Sequence, residues 1–367
     1  MRNKINIFEL QFSAAFRKSF LEGSKKILDE GFLSNHTYVQ KFEEIFKKKV
    51  GCKYAVAVNS GTAALELIFR SLNVSGKKVL ISSNTFVATG IAVKNAGGIP
   101  VPIDIDDQYF GICLKQLKKN ISKKIGAVVI VHIAGLITSK MQEIVKVCRQ
   151  YKIPLVEDCA QSFNSSLDGK QAGTFGDASA FSLQTTKVLT AGEGGVAITN
   201  NKFLYEKLFS NRFYGLDIKS PLVFKNNGSN FKMSEFVALA AICDLNRSNL
   251  RIKKRIKLAK RYQLLLKGSS FRALSPGKNS TSSYYKQVIL SKFSRKKIEL
   301  ELNKKKISLT GGVYYMPLHR QPIIGIKSDK LFPNASYFAD NHFCPPCYPE
   351  LKITDINYIC KILLSIK

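Results

Sequence analysis

The sequence predicts an α/β fold with a largely parallel sheet and, after it, a smaller α+β region; three observations carry that prediction. Between about residues 50 and 200, short β-branched runs alternate with helical patterns. The runs VAV, VVIV and PLVE are continuously apolar rather than alternating, which suits strands covered on both faces. After residue 200 the pattern changes to longer helical segments.

In chain order, 54-YAVAV-58 reads as a strand that turns through NSGT into the helical 62-TAALELIFRSL-72. The same strand and helix alternation follows in 78-KVLIS-82, 87-VATGIAVKNA-96, 127-AVVIVHIAG-135, 140-KMQEIVKVCRQY-151 and 153-IPLVEDC-159. Helical segments are then expected at 201–213 and 233–266, the second long enough to bridge two domains. Beyond about 270 come the strand-like 282-SSYYKQVIL-290, a charged helix at 296–305 and a final helix at 354–367. This pattern divides the chain into a large α/β domain with an N-terminal arm, residues 1–250, and a small C-terminal α+β domain, residues 251–367.

At 367 residues and 45% hydrophobic content the chain can bury a sizeable core. It has no apolar run of membrane-spanning length, and MRNKINIFELQFSAAF lacks the apolar core and cleavage site of a secretory signal, so no membrane insertion and a cytoplasmic location are expected. The eight cysteines show no repeating spacing, which favours reduced thiols. Cys344 and Cys347 form a lone C-x-x-C pair, and a four-cysteine zinc site needs a second, so no metal is expected. The formal charge of +31, with a local peak at 252-IKKRIKLAKR-261, favours anionic partners. Helix-turn-helix, zinc-finger and RNA-binding signatures are missing and the basic residues form no single arm, so nucleic acid is not the expected partner.

Asp158 closes an apolar strand in VEDCAQ, where a lone carboxylate is costly to desolvate unless a cation or several donors meet it. The turn 59-NSGTAALEL-67 opens a helix whose free N–H groups and dipole favour an anion such as phosphate. Taken alone, that turn also reads as an ordinary Ser/Thr helix cap. Ser182 and Lys187 follow in 181-FSLQTTKVLTAGEGG-195, beside a glycine-rich turn. A pyridoxal phosphate site needs this set: a helix N-terminus and a serine for the phosphate, a carboxylate for the pyridinium nitrogen, a lysine amine for the aldehyde.

Over nearly its whole length the chain resembles the sugar aminotransferases of the DegT/DnrJ/StrS family. The resemblance runs through 56-VAVNSGTAALEL-67, 83-SNTFVATGIAVKNAGGIPVPIDID-106, 130-IVHIAGLITSKMQEI-144, 155-LVEDCAQSF-163, 173-GTFGDASAFSLQTTKVLTAGEGG-195 and 314-YYMPLHRQP-322. It implies the fold-type-I pyridoxal phosphate architecture, aspartate aminotransferase-like, and pyridoxal 5'-phosphate as cofactor. It makes Lys187 the Schiff-base lysine, Asp158 the partner of the ring nitrogen, Gln161 the support near the ring's phenolic oxygen, and Phe86 the aromatic stacked on the ring. Gly61, Thr62, Ala63 and Ser182 resemble the phosphate site. Asn230 matches the asparagine that a neighbouring subunit lends to the phosphate, which implies a homodimer with shared active sites. The implied reaction moves an amino group from glutamate or glutamine to a keto-sugar, nucleotide-linked, for amino-sugar or surface-glycan (lipopolysaccharide) biosynthesis.

Tyr315 and His319, in the loop 314–322, are candidate substrate contacts by the same resemblance. His132, in VHIAG, is expected to hydrogen-bond to backbone at a strand end. Three departures bear on the substrate: the segment before His319 is one residue shorter than the family's usual form, Lys232 stands where arginine is common, and Ser336 replaces a usual glutamate. Two rival readings stay open. A sugar dehydratase of the same family carries histidine in place of the lysine, and Lys187 stands against it. A non-catalytic member used for binding or regulation would have no physical reason to keep both Lys187 and Asp158.

Overall fold

The structure is a computed structural model that describes residues 4–217, 219–309, 312–326 and 328–367; the first three residues of the expected N-terminal arm lie outside them. Helix α1, Ala14–Glu30, starts at Ser13, whose hydroxyl accepts from the N–H of Phe16, and stops at Gly31 in the left-handed region. Helix α2, Thr37–Val50, buries Val39, Phe42, Phe46 and Val50, spaced along one face, with the Phe46 ring against Phe163 and Phe181. Neither helix was expected from the sequence, because neither sits in the strand–helix alternation.

The alternating region then forms β1 (Tyr54–Val58), α3 (Gly61–Ser71), β2 (Lys78–Ser82), α4 (Val87–Asn95), β3 (Ile99–Ile103), α5 (Leu114–Asn120), β4 (Ile125–Val131), α6 (Met141–Tyr151) and β5 (Leu155–Asp158). Strands Ala178–Ser182 and Gly195–Thr199 follow. Among the described residues these seven strands make one sheet in the order β1, Gly195–Thr199, Ala178–Ser182, β5, β4, β2, β3. Gly195–Thr199 runs antiparallel to both neighbours, and the other pairings are parallel. The edge strand β3 holds Pro100 and Pro102, which lack the donor a central strand needs; the same prolines hid it in the sequence.

Helix α7 (Lys202–Arg212) and the 32-residue helix α8 (Glu235–Leu266) come next. A second sheet, Phe271–Ala273, Ile289–Ser291 and His342–Phe343, packs with the end of α8 and helices Arg295–Lys304 and Ile353–Leu364 around Tyr262, Leu266, Ile298, Phe343 and Ile359. Two details bear on the expected division. Residue 250 falls inside α8, which continues through it unbroken. Ile5, from the arm grouped with the large domain, pairs with Ile307 and joins the core of the second sheet, where its apolar side chain is buried.

Two apolar runs are also shorter as strands than expected. AVVIVHIAG stops at Val131, where Ala134 and Gly135 take positive φ and turn the chain. In SSYYKQVIL only the last two residues enter a strand, since Tyr284 at φ 49° interrupts the extended path. What matters for the site is the shared end of the parallel strands. Val131 pairs with Asp158 and Asp158 with Ala180, so Asp158 and Ser182 reach the carboxyl edge of the sheet together. Ligands in such sheets bind outside that edge.

Candidate active site

A cavity of about 410 Å³ opens there, lined among others by Thr62, Phe86, Asp158, Gln161, Ser182 and Lys187. A larger hollow of about 690 Å³ lies beside the second sheet, near Arg272 and Tyr337, and holds no lysine facing a buried carboxylate.

Asp158 is only 5% exposed, and its oxygens accept from the Thr89 hydroxyl at 2.9 Å and the Ala160 N–H at 3.1 Å. Both donors are neutral. Burial pushes the carboxyl above its usual range, and Ala160, Thr89 and the charge of Lys187 only partly pull it back. A buried carboxylate in this state is suited to a cation placed in the cavity, as a pyridinium would be.

Lys187 projects from the loop between strands Ala178–Ser182 and Gly195–Thr199. That loop is closed by the Gln184–Gly192 bridge and tied to α8 by Asp244, which accepts from the N–H of Thr190 at 2.9 Å. Its ammonium lies 4.7 Å from the centre of the Tyr285 ring. Burial pushes the Tyr285 phenol up, but Lys187, Lys286 and the Thr186 hydroxyl together outweigh it and hold the phenol below its usual value. Arg255, expected within the basic surface peak, is instead fully buried and donates to the carbonyls of Tyr285 and Cys347, so it fixes the chain beneath the lysine.

At the opposite wall, α3 points its N-terminus at the cavity. Ser60 caps it, accepting from the N–H of Ala63 at 3.0 Å and, through its carbonyl, from Ala64. Gly61 is required because a side-chain carbon there would sit 2.7 Å from the Cβ of Ser182. The helix end and the strand end therefore touch, and Thr62 and Ser182 share one wall suited to an anion. Ala63 does not line the cavity, since its N–H is already used by the cap.

Gln161 is held on both sides: its Oε1 accepts from the N–H of Ala134 at 2.7 Å, and its Nε2 donates to the Tyr314 hydroxyl at 2.6 Å. Phe86, 59% exposed, stands at the mouth with its ring centre 6.4 Å from that of Tyr314.

Three expectations are corrected. Tyr315 is not in the cavity; its neighbour Tyr314 is, and the irregular path of this loop decides which ring faces in. Tyr315 instead faces outward, under the guanidinium of Arg295 at 3.4 Å and beside His342. His319 is buried away from the cavity, hydrogen-bonded to Ser83 at 2.6 Å and to Asp329 at 3.0 Å, and stacked on Phe332. Asp329 thus offers that histidine a carboxylate where Ser336 offers only a hydroxyl at 3.3 Å. His132 meets a side chain rather than backbone: its Nε2 lies 2.9 Å from Glu157, both fully buried. Glu157 also accepts from the N–H groups of Gly173, Phe175 and Gly176; together with His132 they outweigh burial and hold it below the usual carboxylate range. Cys159 lies close by, but the carboxylate's oxygens are already engaged by these donors.

Asn230 is exposed and does not line this cavity; its carbonyl accepts from the Asn59 amide at 3.2 Å. Lys232 lies over the Phe213 and Tyr214 rings. Among the wall residues missed from the sequence are Thr89, Gln184, Glu193, Tyr285 and Tyr314. Thr89 had a legible signal, lying one helical turn beyond Phe86 on the same face; Tyr285 and Tyr314 each sit in a Tyr-Tyr pair that gives no sign of which ring faces in.

A profile of the DegT/DnrJ/EryC1/StrS aminotransferase family matches residues 15–364. The chain belongs to this family. It is 29% identical to GDP-perosamine synthase of Escherichia coli O157:H7, over 91% of this chain and 92% of that one. It is 27% identical to UDP-4-amino-4,6-dideoxy-N-acetyl-beta-L-altrosamine transaminase of Campylobacter jejuni, over 95% of each. Among solved structures, Spr1654 from Streptococcus pneumoniae in its PMP form superposes with a TM-score of 0.91 at 21% identity, covering 99% of this chain and 97% of that one. The fold is fold-type I, and the protein is a pyridoxal phosphate-dependent sugar aminotransferase. No helix among the described residues is long and apolar enough to cross a membrane.

Proposed function

We propose that this aminotransferase moves an amino group from glutamate or glutamine to a keto-sugar carried on a nucleoside diphosphate, in the making of an amino sugar for a surface glycan. The observation that carries the reading is Lys187 facing the buried Asp158 across a cavity whose far wall is the N-terminus of α3. Relatives whose names specify GDP- and UDP-linked sugars support the nucleotide-linked class.

The bound cofactor supplies a reactive aldehyde and an electron-withdrawing ring. Asp158 holds a proton on the ring nitrogen, and Thr89 and Ala160 hold Asp158. Thr62 and Ser182, which line one wall, would hold the phosphate, and Phe86 at the mouth would lie against the ring. The amine of Lys187 would hold and move the proton at the substrate carbon, with the Tyr285 ring 4.7 Å from it to keep it near. Asn230, turned away from its own cavity, serves the phosphate of a partner subunit in a homodimer. The eight free cysteines agree with a reducing, cytoplasmic setting.

The test is turnover against a panel of nucleotide-linked keto-sugars and the same sugars unlinked, with glutamate and glutamine as donors. Amination of one nucleotide-linked ketone at least tenfold faster than its free sugar is expected, tenfold corresponding to about 1.4 kcal/mol of transition-state binding. Turnover confined to free cyclic ketones would remove the nucleotide-linked substrate from the reading.

A further inference from the structure

Tyr314 lines the cavity with Asp158 and Lys187, and its ring lies against that of Phe86. Its oxygen accepts from Gln161 Nε2 at 2.6 Å. Because that amide donates to the phenol oxygen, the phenol's own proton is not spent on Gln161. Gln161 cannot reverse its amide to accept it, because its Oε1 is held by the N–H of Ala134 at 2.7 Å. Ala134 is itself fixed in a turn at φ 52°. The Tyr314 O–H is therefore left to a partner other than Gln161, at the cavity that Tyr314 lines. It also stays protonated: burial first, then the neighbouring Asp158 and Tyr285, push the phenol well above its usual value.

We propose that Tyr314 donates its hydroxyl proton to the phenolic oxygen of the bound cofactor, beside Gln161, and so sets the pH at which the loaded enzyme changes colour. The proposal rests on the reading that places Gln161 near that oxygen. A hydrogen bond donated there favours the form in which the oxygen carries its full negative charge. The midpoint of the visible band is therefore lower with Tyr314 than without it.

Tyr314→Phe keeps the ring against Phe86 and removes the hydroxyl, both the proton it gives and the acceptor it offers Gln161. Titrating the visible band of loaded wild type and Tyr314→Phe should place the variant's midpoint higher by about one pH unit, a tenfold change in proton affinity. An unchanged or lower midpoint overturns the proposal. A second measurement needs only wild type: apo protein should bind the parent cofactor about tenfold or more tightly than its form methylated on the phenolic oxygen, which cannot accept as an anion. Equal binding overturns the proposal as well. A wild-type protein that takes the cofactor but shows no adduct at Lys187 fails differently: it removes the placement of the site, and this proposal with it.

Discussion

Asp158 is a group whose surroundings suit the cofactor better than they suit the free protein. In the apo protein its carboxyl titrates above its unfolded value, so its contribution to stability is complete below about pH 3.9 and lost as pH rises through the raised folded value. At neutral pH the apo fold therefore bears an unfavourable charge that a pyridinium would neutralise. Asp158→Asn should leave the apo protein at least as stable as wild type at pH 7, with the difference closing toward pH 4, while turnover falls on the order of 10²-fold or more. Denaturant unfolding of both apo proteins at the two pH values, with turnover of the loaded forms, checks this. A variant clearly less stable at pH 7, or one with undiminished turnover, would mean that the carboxylate is structural. At this scale the sequence exposed the residues that are chemically out of place: Lys187 and Asp158 sit among apolar neighbours, and no packing argument accounts for them. It did not expose Tyr314 or the burial of His319, because those depend on which side of an irregular loop faces inward, and irregular loops carry no period to read.

The α3 N-terminus shows how an element makes a binding wall. Its capping by Ser60 and its contact with the end of strand Ala178–Ser182 bring Thr62 and Ser182 to one surface only because position 61 has no side chain. In Gly61→Ala the new carbon would press on Ser182 Cβ at 2.7 Å and on its Cα at 3.2 Å, part of a sheet that cannot yield easily. The two elements should part slightly, with a cost of about 1–3 kcal/mol in stability and roughly tenfold weaker retention of the cofactor. Equilibrium binding of the cofactor to the apo variant measures the second effect; wild-type affinity would show that the two elements need not touch. Strands and helices of the alternating region were legible where the apolar run was unbroken, as in β1, β2 and β5. They were obscured where prolines broke the run, as in β3, and where left-handed residues cut it short after Val131 and at Tyr284.

At the scale of the whole molecule, the cavity is assembled from both parts of the chain: Asp158, Ser182 and Lys187 from the main sheet, Tyr285 and Tyr314 from the residues beyond α8. The order of motifs along the sequence revealed the first group, since each sits at a strand end in an alternation that fixes where strand ends go. The second group comes from segments whose path is set by tertiary contacts such as Arg255 on the Tyr285 carbonyl. The +31 charge gave no comparable guide, as part of its local peak is turned inward. On the proposed reading, Asn230 serves the phosphate site of a second subunit. Mixing inactive Lys187→Ala and Asn230→Ala proteins under subunit exchange should restore activity toward half per mixed dimer, since one site collects both lesions and the other none. No recovery despite proven exchange would assign Asn230 to its own subunit or to no cofactor role.

Everything above depends on Lys187 being the residue that takes the cofactor. Loading the protein with pyridoxal phosphate, reducing it with borohydride and mapping the peptides should place the pyridoxyl group on Lys187, and Lys187→Ala should carry none. The adduct on any other lysine, or spread over several, would contradict the site as built here.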